Sequence, residues 1–208
     1  MESYRKFALA IFLIIALTEI NGQVYPRYIF GVNLSTMKIK NRGQTSQPEM
    51  PAGIHFGASI EVPVTANLTF QPALLFSAKG TNYKMDTIDI SISPIYIEIP
   101  ANAVYTIGKG PTRLFLFAGP YFGIGIGGYK LETGSVQRYL SYGSGETKDL
   151  KQLDVGFNFG SGLNIRGFIV SAQYGIGLAN VAPVTAGGSE MKNKVIGISI
   201  SSLFPKRQ

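Results

Sequence analysis

Apolar and polar residues alternate one by one along most of this chain, most clearly from Leu153 to Leu178. Leu153, Val155, Phe157, Phe159, Leu163 and Ile165 share one parity, while Asp154, Gly156, Asn158, Gly160, Gly162 and Asn164 take the other. Period two marks a strand whose two faces meet different surroundings. After Arg166-Gly167 the alternation resumes with Phe168, Val170, Ala172, Tyr174, Ile176 and Leu178, which predicts a hairpin with a tight turn. Each arm exceeds the about five or six residues of an ordinary soluble strand and is close to the roughly 9–11 that a tilted strand needs to cross a bilayer.

The same period recurs upstream and downstream. Tyr28, Phe30, Val32 and Leu34 alternate with Gly31, Asn33 and Ser35 in a first strand over 28–39. A second, over 52–62, sets Ile54, Phe56, Ala58, Ile60 and Val62 against His55, Gly57, Ser59 and Glu61. The third, 68–79, has Leu68, Phe70, Leu74 and Phe76 opposite Thr69, Gln71, Ala73, Ser77 and Lys79, with Leu75 interrupting the polar set. Pro72 inside it predicts a local bulge, because proline removes a ladder donor. A fourth strand ends at Tyr105, with Ile95, Ile97, Ile99 and Tyr105 facing away from Glu98 and Asn102. In the fifth, 113–129, the outward parity is set to Leu114, Leu116, Phe122, Ile124 and Ile126, since the other supplies Gly119, Gly123, Gly125 and Gly127. The last, 194–204, sets Ile196, Ile198, Ile200 and Phe204 against Gly197, Ser199 and Ser201.

The connections sort by length. Polar segments 40–51, 80–89, 130–150 and 179–192 alternate with tight turns near 63–67, 108–111 and 166–167. Eight antiparallel strands in an up-and-down meander would collect every long loop at one end and both termini at the other, with the even strand count of bacterial outer-membrane barrels. The fold class expected is therefore all-β, an eight-stranded antiparallel transmembrane β-barrel. Its termini are expected in the periplasm and its long loops outside the cell. Tyr28, Phe30, Tyr105, Phe168 and Phe204 fall where an aromatic girdle at the periplasmic interface would lie. A soluble lipocalin-like periplasmic ligand carrier also alternates, but it turns apolar residues inward and needs a charged coat. Here the second face is mostly Gly, Ser, Asn and Gln.

Composition refines this picture at the start of the chain. Arg5 and Lys6 precede the apolar run Ala8 to Leu17, which reads as a secretory signal peptide over 1–22, leaving a barrel domain over 23–208. That run is too short to span a bilayer as a helix. Cysteine is absent, so neither disulfides nor thiolate metal sites contribute. The net charge of +7 comes from lysines and arginines scattered over loops and termini, not from a basic stripe with stacking aromatics, and nucleic-acid binding is not expected.

Several segments resemble the PorT-type outer-membrane β-barrel family of Bacteroidota: LTFQPALLFSAKG (68–80), YIEIPANAVY (96–105), LFLFAGPYFGIGIGG (114–128), DVGFNFGSGL (154–163), VSAQYGIGLANV (170–181) and KNKVIGISISSLF (192–204). The resemblance spans nearly the whole mature chain and implies an outer-membrane location. Its named member is linked to maturation or export of secreted proteins, and no set of catalytic positions comes with it. The chain departs from the usual barrel ending, because Pro205-Lys206-Arg207-Gln208 trail Phe204.

Little in the sequence predicts chemistry. His55 is the lone histidine and points into the lumen with Ser59 and Glu61. Those two lie about 13 and 20 Å along the same strand, too far to bond it directly; a partner from another strand stays open, and a structural interior histidine is the reading expected. Gly123, Gly125 and Gly128 satisfy GxGxxG, but in a continuing strand rather than at a helix start, so close packing explains them. Glu61, Glu98 and Asp154 with Lys79 suggest a polar lumen network. No catalytic, cofactor-binding or metal-binding residue is assigned, no cofactor is expected, and the chain is not expected to be an enzyme. The function expected is that of a small barrel with a side-chain-filled lumen. It would act through its outer loops, chiefly 130–150 with Arg138, Tyr139, Tyr142 and Lys148, or as an accessory of envelope or secretion machinery. Outer-membrane lipids and envelope proteins are the expected partners. The alternatives are a barrel lipid hydrolase using His55 and a serine, and the soluble carrier.

Overall fold

The alternation closes into a ring. The computed structural model describes residues 25–203 apart from 42–43, 47, 86–87, 134 and 186–187. The expected signal peptide, Phe204 and the residues after it lie outside the described residues. The strands are β1 (Tyr25–Asn41), β2 (Gln44–Ser46), β3 (Ala52–Pro63), β4 (Leu68–Ala78), β5 (Thr81–Met85), β6 (Ile88–Ile107), β7 (Thr112–Glu132), β8 (Arg138–Tyr139), β9 (Leu153–Ile165), β10 (Phe168–Gly177) and β11 (Glu190–Leu203). Antiparallel pairing runs β1, β3, β4 with β5, β6, β7, β9, β10, β11, and β11 returns to β1 from Arg27↔Leu203 to Lys40↔Glu190. Eight staves thus close the barrel, with β2 and β8 as short additions to β1 and β7. Closure leaves the ring no unpaired edge.

The turns at 64–67, 108–111 and 166–167 lie at the same end as Tyr25 and Leu203, called here the turn end; the other is the loop end. At the predicted hairpin Arg166 and Gly167 both have positive φ, 53° and 95°. That is the mirror-image turn whose twist matches the strands it joins.

Three expectations need correction. First, the strands run past the predicted loop boundaries: Thr81–Met85 pairs Ile88–Ile92, so the expected loop 80–89 is a hairpin extension, and β11 begins at 190 instead of 194. Thr81-Asn-Tyr and Ile88-Asp-Ile-Ser alternate like the strands below them, and Gly80 does not break the stave because Ser35 Oγ holds its N–H at 2.7 Å. Second, Pro72 makes no bulge. Rungs are missing beside it, but Ser59↔Ala73 and Val62↔Phe70 keep one register, as do Pro72↔Ala101 and Leu75↔Glu98. The register shift lies instead at Ile95/Tyr96, opposite Gly127 and Gly125, and Gly128 beyond it sits at φ 133°. Third, the lumen is only partly filled, as described below.

Facing directions follow the predicted parity. Phe30, Ile54, Phe76, Leu116, Phe157, Val170 and Ile198 are exposed on the outer wall, at 39–53% each. A belt of this extent has no place on a soluble monomer. The soluble-carrier alternative fails here, because the apolar rows are outside and not around a central pocket. Inside, the rings of Phe115, Phe117 and Tyr121 lie over Gly162, Gly160 and Gly156 of the neighbouring strand, each ring at 2.4–2.6 Å from where a Cβ would be. Glycine is the residue that lets aromatic rings lie flat against a narrow inner wall.

Candidate functional site

The inward row of each strand meets different company at each level. At the turn end, Arg27 on β1 donates from Nε to Glu61 Oε1 on β3 at 2.7 Å and from Nη1 to the Gly167 carbonyl at 2.8 Å. Gln71 on β4 joins at 3.5 Å. Glu61 therefore belongs to the mouth and stands apart from the other carboxylates of the expected network. Above this pair opens a cavity of about 430 Å³, lined by residues that include Thr69, Leu75, Val104, Phe117 and Ser199 and reaching the turn residues Thr65, Ala66 and Gly167. That is the size of a small-ligand site. The expectation of a lumen filled throughout is thus corrected: Ala73, Thr69 and Ser171 are too short to close it.

His55 roofs the cavity and is 2% exposed. Its register partner on β1 is Gly31, whose own partner on β11 is Ser199. Gly31 has no side chain, and the imidazole fills that gap, with Cε1 and Nε2 at 2.4 Å from the missing Cβ. The ring spans β1, placing Nε2 at 2.7 Å from Ser199 Oγ and Nδ1 at 2.8 Å from Asn33 Oδ1. Ser59 and Glu61, the same-strand candidates, do not meet it. Sequence reasoning left an unnamed cross-strand partner open, and Ser199 and Asn33 are the residues that take that place.

Above His55 the lumen is plugged. Lys79 pairs with Glu98 and, at 3.1 Å, with Asp154 Oδ2. Tyr121 Oη and Asn193 Nδ2 donate to the same oxygen at 3.1 and 2.8 Å. The Lys79 ammonium also sits 5.0 and 4.8 Å from the ring centres of Tyr96 and Tyr121. This is the predicted polar network, without Glu61. A cation held between two carboxylates and two ring faces recovers much of the hydration lost on burial.

Over the network lies an apolar cluster of Met37, Ile90, Ile92, Leu140, Leu150 and Val181, to which segment 138–151 contributes from above. That segment was expected as a polar outer loop, and it is a folded cap. Tyr142 packs on Gly125 and donates to the Gly127 carbonyl at 2.7 Å; Lys148 donates to Ser141 Oγ. Arg138 holds Asp149 with two bonds of 2.7 and 2.6 Å, and the Ser141 N–H adds a third. Burial alone would raise the Asp149 pKa; these bonds and the Arg138 and Lys130 charges outweigh it and hold the carboxylate below its ordinary range. Tyr139 and Val136 remain exposed. Gly123, Gly125 and Gly128 lie in β7 as packing seats, with Asp154 Cβ and Glu98 Cγ against the first. No group of three or more potential metal ligands occurs among the described residues.

The sequence profile of the outer membrane protein beta-barrel domain matches residues 27–182, most of the chain. The chain belongs to this family. Membership places the barrel in an outer membrane. Solved structures similar to this family member include Ail of Yersinia pestis in complex with a heparin analogue, Neisserial surface protein A, and the N-terminal β-barrel domain of Pseudomonas aeruginosa OprF. Identity is 14% in each case, with TM-scores of 0.40, 0.47 and 0.38. The matches cover 86%, 86% and 88% of this chain and 99%, 97% and 100% of those. No curated protein matches the chain.

Proposed function

We propose that this outer-membrane barrel does not conduct solutes and acts through what its two ends present, as a PorT-type accessory of envelope or secretion machinery. The observation that carries this reading is the double closure of the loop-end lumen, by the Lys79, Glu98 and Asp154 network and by the apolar cluster above it. In the orientation usual for such barrels, the tight turns and the Arg27–Glu61 mouth face the periplasm and the folded cap faces outward. The apolar belt lies against acyl chains, and envelope proteins are met at the two rims.

Single-channel recording of the refolded barrel tests the closed lumen: the trace should stay at baseline, and steady large openings would overturn it. Protease added to intact cells should cut the cap at exposed Arg138 and spare the turn end. The secretion role predicts that cells lacking the chain retain proteins normally exported; unchanged export would remove that part of the reading.

A further inference from the structure

We propose that Ser199, His55 and Asn33 form a nucleophile, a general base and a positioning residue that hydrolyse a short-chain carboxylic ester entering the lumen from the turn end. The argument begins with protons. Asn33 Nδ2 donates to Ser77 Oγ at 3.1 Å and to the Ala78 carbonyl at 3.4 Å. Because a carbonyl only accepts, the Asn33 amide is oriented with Oδ1 toward His55. An amide oxygen also only accepts, so Nδ1 of His55 carries the hydrogen and Nε2 keeps its lone pair. The 2.7 Å contact is then a Ser199 hydroxyl donating to a basic nitrogen, the arrangement that activates a serine.

Access separates this trio from a sealed core contact. His55 and Asn33 are each 2% exposed, while Ser199 is half-buried and lines the 430 Å³ cavity. His55 and Ser199 both border the open space, and the nucleophile is the more exposed of the two. Gln173, on β10 opposite Gly197, faces the same cavity, and its carboxamide makes no side-chain hydrogen bond among the described residues. Its Nε2 lies over Gly197, two residues along β11 from Ser199, as an N–H donor available to a developing oxyanion. Leu75, Phe115, Phe117 and Ile169 give a short acyl group an apolar wall. Bilayer lipids are not the substrate, because all three side chains face away from the outer belt. This replaces the lipid hydrolase of the sequence reading with a hydrolase of water-soluble esters.

The step balances with water as the only co-reactant. Ser199 Oγ bonds to the carbonyl carbon as its proton passes to Nε2. The carbon–oxygen bond to the alcohol breaks, and the alcohol leaves with that proton. Water, deprotonated by Nε2, then cleaves the acyl-serine, releasing the acid and restoring the hydroxyl.

The test treats the full-length barrel, refolded in detergent, with a small fluorophosphonate and separately with p-nitrophenyl acetate. Folding of every variant is checked by heat-modifiable gel migration. Peptide mapping should place the phosphonyl group on Ser199, fluoride having left. Ser199→Ala, which deletes one oxygen, should lower both labelling and ester turnover about a hundredfold, while Ser201→Ala, in the same cavity, should retain them. Asn33→Leu should lower kcat with KM little changed. Folded wild-type barrel that is unlabelled at Ser199, or that turns over ester no faster than folded Ser199→Ala, would overturn the proposal. Neither result depends on conductance or on export, so it fails or stands apart from the accessory reading.

Discussion

The two halves of the lumen are built from the same alternation and end up opposite in character. Near the loop end the inward positions carry Lys79, Tyr96, Glu98, Tyr121 and Asp154, long or branched groups that meet at the axis and leave only a void of about 10 Å³ between them. Toward the turn end the inward positions include Thr69, Ala73, Ser171 and Ser201, too short to meet, and a ligand-sized space remains. The wall is the same closed ladder at both levels. Side-chain length along the inner rows therefore decides whether this eight-stranded ring is a plug or a chamber, and strand count only sets the width to be filled.

The largest break in this contrast is expected at Lys79. Lys79→Met leaves Glu98 and Asp154 as buried carboxylates without their cation, which should cost about 3–5 kcal/mol. The urea midpoint of the refolded barrel, read by heat-modifiable migration, should fall steeply. Adding Glu98→Gln and Asp154→Asn to the same chain should recover most of the loss. A near-neutral Lys79→Met would mean that water reaches the network and that the loop-end lumen is no plug.

Overfilling is the next probe. Ser77 is 2% exposed and accepts the Asn33 amide at 3.1 Å, so Ser77→Leu must both displace neighbours and strip a bond. A cost of about 1–3 kcal/mol is expected by the same urea titration. A stabilised Ser77→Leu barrel would show hidden space at this level.

Which of these features could be read from sequence depends on where the information resides. Strand number, inward parity and the Arg166-Gly167 turn are local, written in period two and in loop length, and the structure carries all of them. Hairpin extensions such as Thr81–Met85 were missed because their polar composition resembles a loop until a partner strand is known. The folded cap was missed because what packs Leu140, Leu150 and Tyr142 is the barrel rim beneath them. The Ser199, His55 and Asn33 row was hidden for a different reason. Tight turns set the register between sequential strands, but β1 meets β11 only when the ring closes, and no turn joins them. Gly31 between two polar partners was the available signal, and it needed that closing register to be heard.

A smaller effect tests the cap that seals the loop end. Asp149 is held below the ordinary carboxylate range when folded, so its contribution is present above about pH 4 and is lost as pH falls through the lower folded value. Asp149→Asn at neutral pH should loosen the cap by about 1–2 kcal/mol, the cost of charge-assisted bonds discounted because Arg138 is half exposed. Hydrogen exchange over 138–151, corrected for intrinsic rates, should quicken in the variant at pH 7. As the pH falls through the lowered folded value, the wild type should approach it. Equal protection at pH 7 would show that apolar packing alone holds the cap.

The smallest effect is the one that separates chamber from plug most directly. Ala73 lines the turn-end cavity on β4, the stave that also carries Ser77. Ala73→Leu adds the bulk of several methylenes where about 430 Å³ stands open, so no neighbour must move and the change should stay under about 1 kcal/mol. The same urea midpoint measures it, set beside Ser77→Leu four positions along the same inner row. Comparable losses at the two positions would mean that the turn-end space closes in the membrane and that the inner wall is packed alike from end to end. A loss confined to Ser77 would leave side-chain length as what distinguishes the two levels.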